Sequence, residues 1–196
     1  MIQPTKKLVA NISYLSPNSR LINKKIIITG GGKGLGKAMA KKFVDEGANV
    51  LITGRDENTL KATAEQIGCL YLVFDVTHFE QIPQFIKQAD SLLNGANVFV
   101  NNAGISLHEE NISNVSLSQF DKQIETNLKA GYFLTQHFLN LYEKNDRKDG
   151  SVLFISSERG TYVDDVPYGL TKAAINSLVR GLAKSYIKGM FYKLMI

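Results

Sequence analysis

Cysteine is nearly absent from this chain, which has one cysteine in 196 residues. Cys69 has no partner for an internal disulfide, so disulfides are excluded as a source of stability. It stands in the apolar run GCLYLVF, which is typical of a small buried residue rather than a redox or metal site. The three histidines, His78, His108 and His137, have no partners at the spacing of metal ligands, so no metal site is predicted.

Long apolar runs are also missing. No stretch approaches the roughly 20 residues with which a helix crosses a bilayer, so no membrane span is expected. The polar residues Asn11 and Ser13 interrupt the few apolar residues near the N-terminus, which does not fit a secretory signal peptide. A short amphipathic targeting segment is the alternative. We therefore expect a cytoplasmic protein with a polar extension at residues 1–23 and a single domain at residues 24–196.

Positive charge is in excess but is not concentrated. The formal net charge is +5, and the lysines that produce it are scattered along the chain. Proteins that bind nucleic acids usually show a basic stripe with interleaved aromatic residues, or a recognisable module, and neither is present. Nucleic acid is therefore not an expected partner. A basic pocket for a phosphorylated cofactor is another use of excess positive charge.

Short apolar runs alternate with segments of helical periodicity along the chain. Strands that are apolar throughout and alternate with helices predict a parallel sheet covered on both faces. Right-handed crossovers then favour a doubly wound α/β sheet of the Rossmann type. Strands are predicted at 26–29, 49–53, 69–74, 97–100 and 151–156, and helices at 35–47, 57–68, 78–95, 116–145 and 167–189.

A glycine-rich turn follows the first predicted strand. The segment TGGGKGLG (29–36) places Gly30, Gly34 and Gly36 in the pattern TGxxxGxG, directly before a predicted helix. Glycines allow a pyrophosphate to approach the backbone closely, and the start of the helix offers N–H groups and a favourable dipole. A merely flexible turn is the alternative, and the strand-turn-helix context makes it the weaker one.

Tyr168 and Lys172 are one helical turn apart in the segment YGLTK. A single pair of this kind is expected by chance in a chain with many tyrosines and lysines, so its surroundings must decide its meaning. Residues at positions i and i+4 lie on the same face of a helix. An ammonium group beside a phenol favours the phenolate, which would make the tyrosine a useful acid or base.

Six motifs, in order, resemble those of the short-chain dehydrogenase/reductase family, over residues 24 to about 188. They are TGGGKGLG, Asp75 and Val76 after the third strand, NNAG (101–104), Asn127, Ser157 in ISSERG, and YGLTK. The resemblance implies a Rossmann sheet with strand order 3-2-1-4-5 and hydride transfer between a nicotinamide and a carbonyl or alcohol. It also implies a homodimer formed through helices 116–145 and 167–188.

The resemblance further implies roles for individual residues. Tyr168 would exchange a proton with the substrate oxygen, and Ser157 would polarise that oxygen. Lys172 would also hold the nicotinamide ribose, and Asn127 would support a water in the proton relay. The implied cofactor contacts are Gly30, Gly32, Lys33, Gly34, Leu35, Gly36, Arg55, Asp75, Val76, Asn102, Ala103, Gly104, Tyr168 and Lys172.

Simpler explanations exist for several of these residues. Asp75 could only cap the turn after its strand, and Asn101 and Asn102 could be ordinary turn residues. Ser157 could be a serine at a strand end. Without the resemblance, Asn127 inside a predicted helix would be interpreted as a residue that faces solvent.

The end of the second predicted strand bears on the choice of cofactor. An NAD site usually places an acid there to bind the ribose 2′-hydroxyl, and here Gly54 occupies that position. Arg55 then has room to meet a 2′-phosphate, which suits a guanidinium, and Lys33 adds a second positive charge. Asp56 comes two positions too late for the ribose and is expected to cap the next helix. NADP(H) is therefore favoured over NAD(H).

The loop before Tyr168 departs from the family pattern. Ser157 and Tyr168 are closer in sequence than is usual in that family, so the loop between them is short. We expect its charged residues to be solvated rather than to contact the substrate. These residues are Glu158, Arg159, Asp164 and Asp165.

The end of the chain departs further from that pattern. After the last predicted helix the sequence reads KGMFYKLMI, where the family continues with two more strands and a substrate lid. We therefore expect an exposed edge at the fifth strand and impaired substrate binding. The alternative function is a nucleotide-binding protein that has kept the cofactor site and lost turnover.

Overall fold

A computed structural model of the chain describes residues 19–186. Within this range five parallel strands form one sheet in the order β3-β2-β1-β4-β5, so the predicted fold class and strand order are confirmed. In the described sheet β5 pairs with β4 alone. The strands are β1 (Lys25–Thr29), β2 (Asn49–Gly54), β3 (Leu70–Val73), β4 (Val98–Asn101) and β5 (Ser151–Phe154).

Helices connect the strands, and most of their ends lie close to the predictions, but α3 spans Ile82–Leu92 rather than the predicted 78–95. Asp56 caps α2 as expected, because its Oδ1 accepts a hydrogen bond of 2.7 Å from the backbone N–H of Thr59. The predicted features of residues 1–18 and 187–196 lie outside the described residues. The helices are α1 (Gly34–Asp45), α2 (Glu57–Ile67), α3 (Ile82–Leu92), α4 (Leu117–Gln123), α5 (Ala130–Lys144) and α6 (Pro167–Ser185).

The prediction of one uninterrupted helix over 116–145 is wrong in its middle. Ser116 caps α4 through a reciprocal capping box with Gln119, which is typical of the start of a helix. Between α4 and α5, the segment Ile124–Lys129 is a π-helix, whose wider turn is common at functional sites. Asn127 lies in this segment and is buried.

The core consists of two apolar layers, one on each face of the sheet. Successive residues of a strand point to opposite faces, so Ile27 joins one layer while Ile26 and Ile28 join the other. Residues of α3, α5 and α6 complete the first layer, and residues of α1 and α2 complete the second. This two-sided burial is the reason that the strands are apolar throughout. No helix within residues 19–186 has the length and hydropathy of a membrane span.

A buried carboxylate fastens the start of the described chain to the end of α1. Glu46 is only 3% exposed, and it forms ion pairs with Arg20 and Lys42. Arg20 Nε donates a hydrogen bond of 2.9 Å to Glu46 Oε2, and the backbone N–H of Leu21 donates to the carbonyl of Glu46. The hydrogen bonds from Arg20 and then Lys42 lower the pKa of Glu46 to about 2.

We expect Glu46→Gln to lower the melting temperature at pH 7, because both ion pairs are lost. The pKa of Glu46 is lower in the folded protein than its ordinary value of 4.5, so its stabilising effect is complete above about pH 4.5. That effect is lost as the pH falls towards 2. Melting curves should therefore differ between variant and wild type at pH 7 and converge in acid. Glu65→Gln, which removes an exposed carboxylate from α2, is the control, and an equal loss at every pH would contradict the prediction.

Candidate active site

A cavity of about 340 Å³ opens at the carboxyl ends of β1 to β4. The chain leaves β1 towards one face of the sheet and β4 towards the other, so a crevice forms between them. Doubly wound sheets bind ligands at such a switch point. Eight of the predicted cofactor residues line the cavity: Gly30, Gly32, Lys33, Arg55, Asp75, Val76, Ala103 and Gly104.

The glycine turn needs its glycines for two different reasons. Gly30 and Gly34 have φ values of 65° and 51°, in the left-handed region that favours glycine. Gly36 lies so close to the turn that a Cβ there would be 2.3 Å from the carbonyl oxygen of Gly30. The first turn of α1 therefore packs directly against the loop, with the N-terminus of the helix beside the cavity. Leu35 is exposed on this turn.

The NNAG motif holds the glycine turn in place. The side-chain amide of Asn102 donates to the carbonyls of Thr29 and Gly30 at 2.9 and 3.1 Å. In return, Thr29 Oγ1 accepts the backbone N–H groups of Asn102 and Ala103, both at 3.0 Å. Asn102 thus joins β4 to β1 and does not line the cavity itself. The role of Thr29 was not predicted, although it is the first residue of the glycine motif.

Asn101 contributes to a second, much smaller space beneath the cavity. Its Nδ2 donates to Thr135 Oγ1 at 2.9 Å, and its buried Oδ1 has no hydrogen-bond partner among the described residues. Asn101, Asn127 and Lys172 help to line a space of about 10 Å³. That is close to the least volume that holds one water molecule.

Asn127 joins two neighbouring segments to the π-helix. Its Oδ1 accepts the backbone N–H of Ile105, and its Nδ2 donates to the carbonyl of Ile105, both at 2.8 Å. The same Nδ2 approaches Thr171 Oγ1 in α6 at 3.4 Å. At 4% exposure, Asn127 does not face solvent, so that alternative interpretation is wrong.

Lys172 is buried beside these groups, with an exposed fraction of 5%. Its Nζ donates to the carbonyl of Ile155 at 2.8 Å and lies 5.5 Å from the ring centroid of the half-buried Tyr168. Burial lowers the pKa of the Lys172 ammonium. A Cβ on Gly104 would lie 3.4 Å from Asn127 Oδ1 and 3.8 Å from Lys172 Nζ, so this glycine leaves room where the two side chains meet.

Ser157 begins the turn that follows β5. Its Oγ accepts the backbone N–H of Arg159 at 3.3 Å, which makes it the cap of a short 3₁₀ turn. The neighbouring Ser156 instead donates to Asn176 Oδ1 in α6 at 2.7 Å. Ser157 and Tyr168 are both partly exposed and lie outside the lining of the larger cavity.

The expectation that all charged residues of the short loop are solvated is wrong for Asp164. Arg159 Nε lies 2.7 Å from Asp164 Oδ2, and the Asp164 side chain is 8% exposed. Glu158 and Asp165 are exposed, as expected. The loop charges thus include a nearly buried carboxylate with a guanidinium partner.

Basic side chains reach the cavity from the glycine turn and from the end of β2. Lys33 and Arg55 line it, and Arg55 keeps 73% of its side chain exposed while its Nη1 lies 3.9 Å from Asp75 Oδ2. Asp75 also caps its own turn, because its Oδ1 accepts the N–H and the hydroxyl of Thr77 at 2.9 and 2.7 Å. Burial raises the pKa of Asp75, but the Thr77 hydrogen bonds and the Arg55 charge outweigh it, and the pKa is lowered.

Several lining residues were not predicted from the sequence. They share no motif and reach the cavity because the strand ends, the start of α2 and the π-helix bring them there, although one of them directly precedes Asn127. Among residues 19–186 there is no group of three or more His, Cys, Asp or Glu side chains that could hold a metal ion. The lining residues that were not predicted as cofactor contacts are Gly54, Asp56, Thr59, Leu60, Phe74, Ile105 and Thr126.

Comparison with known proteins agrees with this geometry. A family model described as short chain dehydrogenase matches residues 24–189. The chain belongs to the short-chain dehydrogenase family. An uncharacterized oxidoreductase of Staphylococcus aureus strain USA300 is 30% identical over 173 residues, which cover 86% of this chain and 74% of the relative.

Two further proteins extend the comparison across sequence and structure. The uncharacterized oxidoreductase YvrD of Bacillus subtilis strain 168 is 31% identical over 172 residues, covering 84% of this chain and 64% of that protein. The crystal structure of a metagenomic short-chain oxidoreductase in complex with NADP superposes with a TM-score of 0.80 at 27% identity. That match covers 90% of this chain and 82% of the other.

We expect Gly36→Ala to destabilise the protein and to weaken nucleotide binding, since a new Cβ would collide with the backbone of the glycine turn. Overpacking of this kind costs about 1–3 kcal/mol of unfolding free energy. Urea unfolding measures this loss. Gly181→Ala in α6 is the matched control, because nothing lies within 4 Å of its Cβ position, and it should be neutral or slightly stabilising. Equal effects of the two substitutions would show that the turn tolerates a side chain.

Proposed function

We propose that this chain is an NADP(H)-dependent oxidoreductase that transfers hydride between the nicotinamide and a carbonyl or alcohol substrate. The proposal rests on one observation, that two groups of residues lie next to each other at one edge of the sheet. A glycine turn with Lys33 and Arg55 surrounds an open cavity. Next to it, the buried side chains of Asn127 and Lys172 meet at Gly104.

The cavity fits a phosphorylated dinucleotide. The glycine turn and the N-terminus of α1 offer backbone N–H groups to a pyrophosphate, and the Lys33 side chain leaves those groups uncapped. Asp75 and Val76 suit the adenine. Arg55 and Lys33 suit a 2′-phosphate, while Gly54 supplies no acid for a 2′-hydroxyl. The similarity to a short-chain oxidoreductase in complex with NADP supports this assignment.

The side chains beside the cavity suit the exchange of a proton. When bound, the nicotinamide supplies or accepts the hydride. We assign the proton transfer to the hydroxyl of Tyr168, with the ammonium of Lys172 5.5 Å from its ring as the group that favours the phenolate. Ser157 would polarise the substrate oxygen. Asn127 would support a relay water, and the small space that it lines with Lys172 would suit one.

We infer that the protein works as a homodimer in the cytoplasm. The groove between α5 and α6 is lined by Leu139, Leu178 and Leu182 together with polar residues such as Gln136 and Asn140, and the aromatic rings of Tyr132 and Phe133 are exposed nearby. A mixed helix face with exposed aromatic rings suits a second copy of the chain. The lone cysteine is consistent with a reducing compartment.

The cofactor assignment predicts a selective loss of NADPH affinity. Arg55→Ala and Lys33→Ala should each raise the Kd for NADPH about tenfold, because a charge-assisted contact to the 2′-phosphate is lost. The Kd for NADH should change less than twofold. Calorimetric titration of each cofactor measures both values, and Lys37→Ala, which removes a partly exposed lysine from α1, is the control. Unchanged NADPH affinity in both variants would refute the preference for NADP(H).

The acid/base assignment predicts that Tyr168→Phe lowers kcat at least 100-fold, since the proton on the substrate oxygen loses its carrier. The Kd for NADPH should stay within twofold of the wild-type value. Tyr162→Phe removes an exposed hydroxyl from the neighbouring loop and should leave kcat unchanged. The assay follows NADPH oxidation with a panel of aldehydes and ketones. Tight NADPH binding without turnover in the wild type would favour the alternative function, a nucleotide-binding protein.

A further inference from the structure

An ion pair closes the loop that connects β5 to α6. Arg159 Nη2 donates a hydrogen bond of 2.9 Å to Asp164 Oδ1, and Arg159 Nε lies 2.7 Å from Asp164 Oδ2. The Asp164 side chain is 8% exposed and that of Arg159 is 44% exposed, so the carboxylate is almost removed from water. A two-point contact between planar groups fixes orientation as well as distance.

Asp164 is also seated against the first turn of α6. Its Oδ1 accepts the backbone N–H of Val166 at 3.2 Å. A Cβ on Gly169 would lie 2.0 Å from Asp164 Oδ2, so the missing side chain of Gly169 leaves the space that the carboxylate fills. Gly169 directly follows Tyr168 in the chain. The carboxylate of Asp164 therefore contacts the backbone on both sides of the tyrosine.

Arg159 stands at the other end of the loop, next to Ser157. Its backbone N–H donates to Ser157 Oγ at 3.3 Å. The following residue, Gly160, packs against the carbonyl of Lys172, where a Cβ would lie 2.7 Å from the carbonyl carbon. Asn176 Nδ2 donates to the carbonyl of Gly160 at 3.1 Å. The turn that starts at Ser157 thus rests on the part of α6 that carries Lys172.

We propose that the Arg159–Asp164 ion pair is a positioning clasp that sets the separation between Ser157 and Tyr168. The proposal deepens the proposed function and rests on it, since those two side chains are the assigned partners of the substrate oxygen. One end of the clasp is fixed to the turn of Ser157, and the other is fixed to the helix start of Tyr168. Arg159 and Asp164 act through these residues and are positioning residues.

Removal of either partner opens the clasp. Asp164 without the guanidinium would be an unpaired and nearly buried carboxylate, which is unfavourable enough to drive it out towards water. Its place against Gly169 would then be empty, and the Ser157 turn would lose its cross-link to the residues that start α6, while its contacts with Lys172 and Asn176 remain. The core strands and the glycine turn make no contact with the clasp among the interactions described above, so the nucleotide cavity should keep its shape.

The first arm of the test measures the loop without any need for turnover. Hydrogen–deuterium exchange is followed by mass spectrometry in the full chain, for Arg159→Met, Asp164→Asn and the control Glu158→Gln. Glu158→Gln removes an exposed charge from the same loop. We expect exchange at 157–169 to rise at least fivefold in the first two variants and to stay unchanged in the control. Exchange at 25–54 should not change, and equal exchange at 157–169 in all proteins would overturn the proposal.

The second arm measures kcat for the reduction of 4-nitrobenzaldehyde with NADPH. We expect a loss of 10- to 100-fold in Arg159→Met and in Asp164→Asn, with the Kd for NADPH within twofold of the wild-type value. Arg159→Lys keeps the cation without the two-point geometry and should lose less. The double variant should be no worse than the worse single variant, because the clasp is already open.

The two arms separate a positioning role from a purely structural one. Raised exchange with unchanged kcat would show that the ion pair only stabilises the loop, and this result would overturn the proposal. Absence of turnover in the wild type with every carbonyl tested would count against the proposed function instead. In that case the positioning role falls with the proposed function, and the exchange at 157–169 shows only whether the ion pair orders the loop.

Discussion

The side-chain amide of Asn102 provides the contact on which the rest of the site depends. At the switch point, the chain leaves β1 and β4 in opposite directions, and no backbone ladder continues between their ends. The two hydrogen bonds from Asn102 to Thr29 and Gly30, and those that Thr29 receives in return, bridge that gap. Gly36 makes this possible, since a Cβ there would lie 2.6 Å from the same amide nitrogen. These contacts therefore fix the glycine turn, the start of α1 and the end of β4 in position relative to one another.

The proposed acid/base side of the site is organised by buried polar groups rather than by exposed ones. The π-helical turn directs Asn127 inward, where its amide pairs with both backbone groups of Ile105. Lys172 is held by the carbonyl of Ile155 in an environment poor in water, where a charge acts over a longer range than in solvent. These contacts keep both side chains in fixed orientations before any ligand arrives, which is the condition for efficient electrostatic stabilisation.

Local patterns predicted most of the fold and the cofactor cavity because their physical causes are local. Apolar runs between helical segments require a two-sided sheet, and the hydroxyl or carboxylate before a helix caps it, as Asp56 does for α2. The glycine spacing likewise anticipates the left-handed turn and the close approach of α1. The prediction of a continuous helix over 116–145 was wrong. The π-helical segment is accompanied by long-range contacts of Asn127, and such contacts cannot be inferred from the periodicity of the sequence.

The sequence alone determined the order of strands and helices, the family resemblance and most of the glycine-turn and strand-end residues that line the cavity, since each follows from residue types at short spacings. Only the tertiary structure decided which polar side chains are removed from solvent. The burial of Asn127, the pairing of Arg159 with Asp164 and the cavity contacts of Ile105 and Thr126 join residues from different elements. The free energy of a polar group depends on the water and partners around it, and those are known only once the chain has packed.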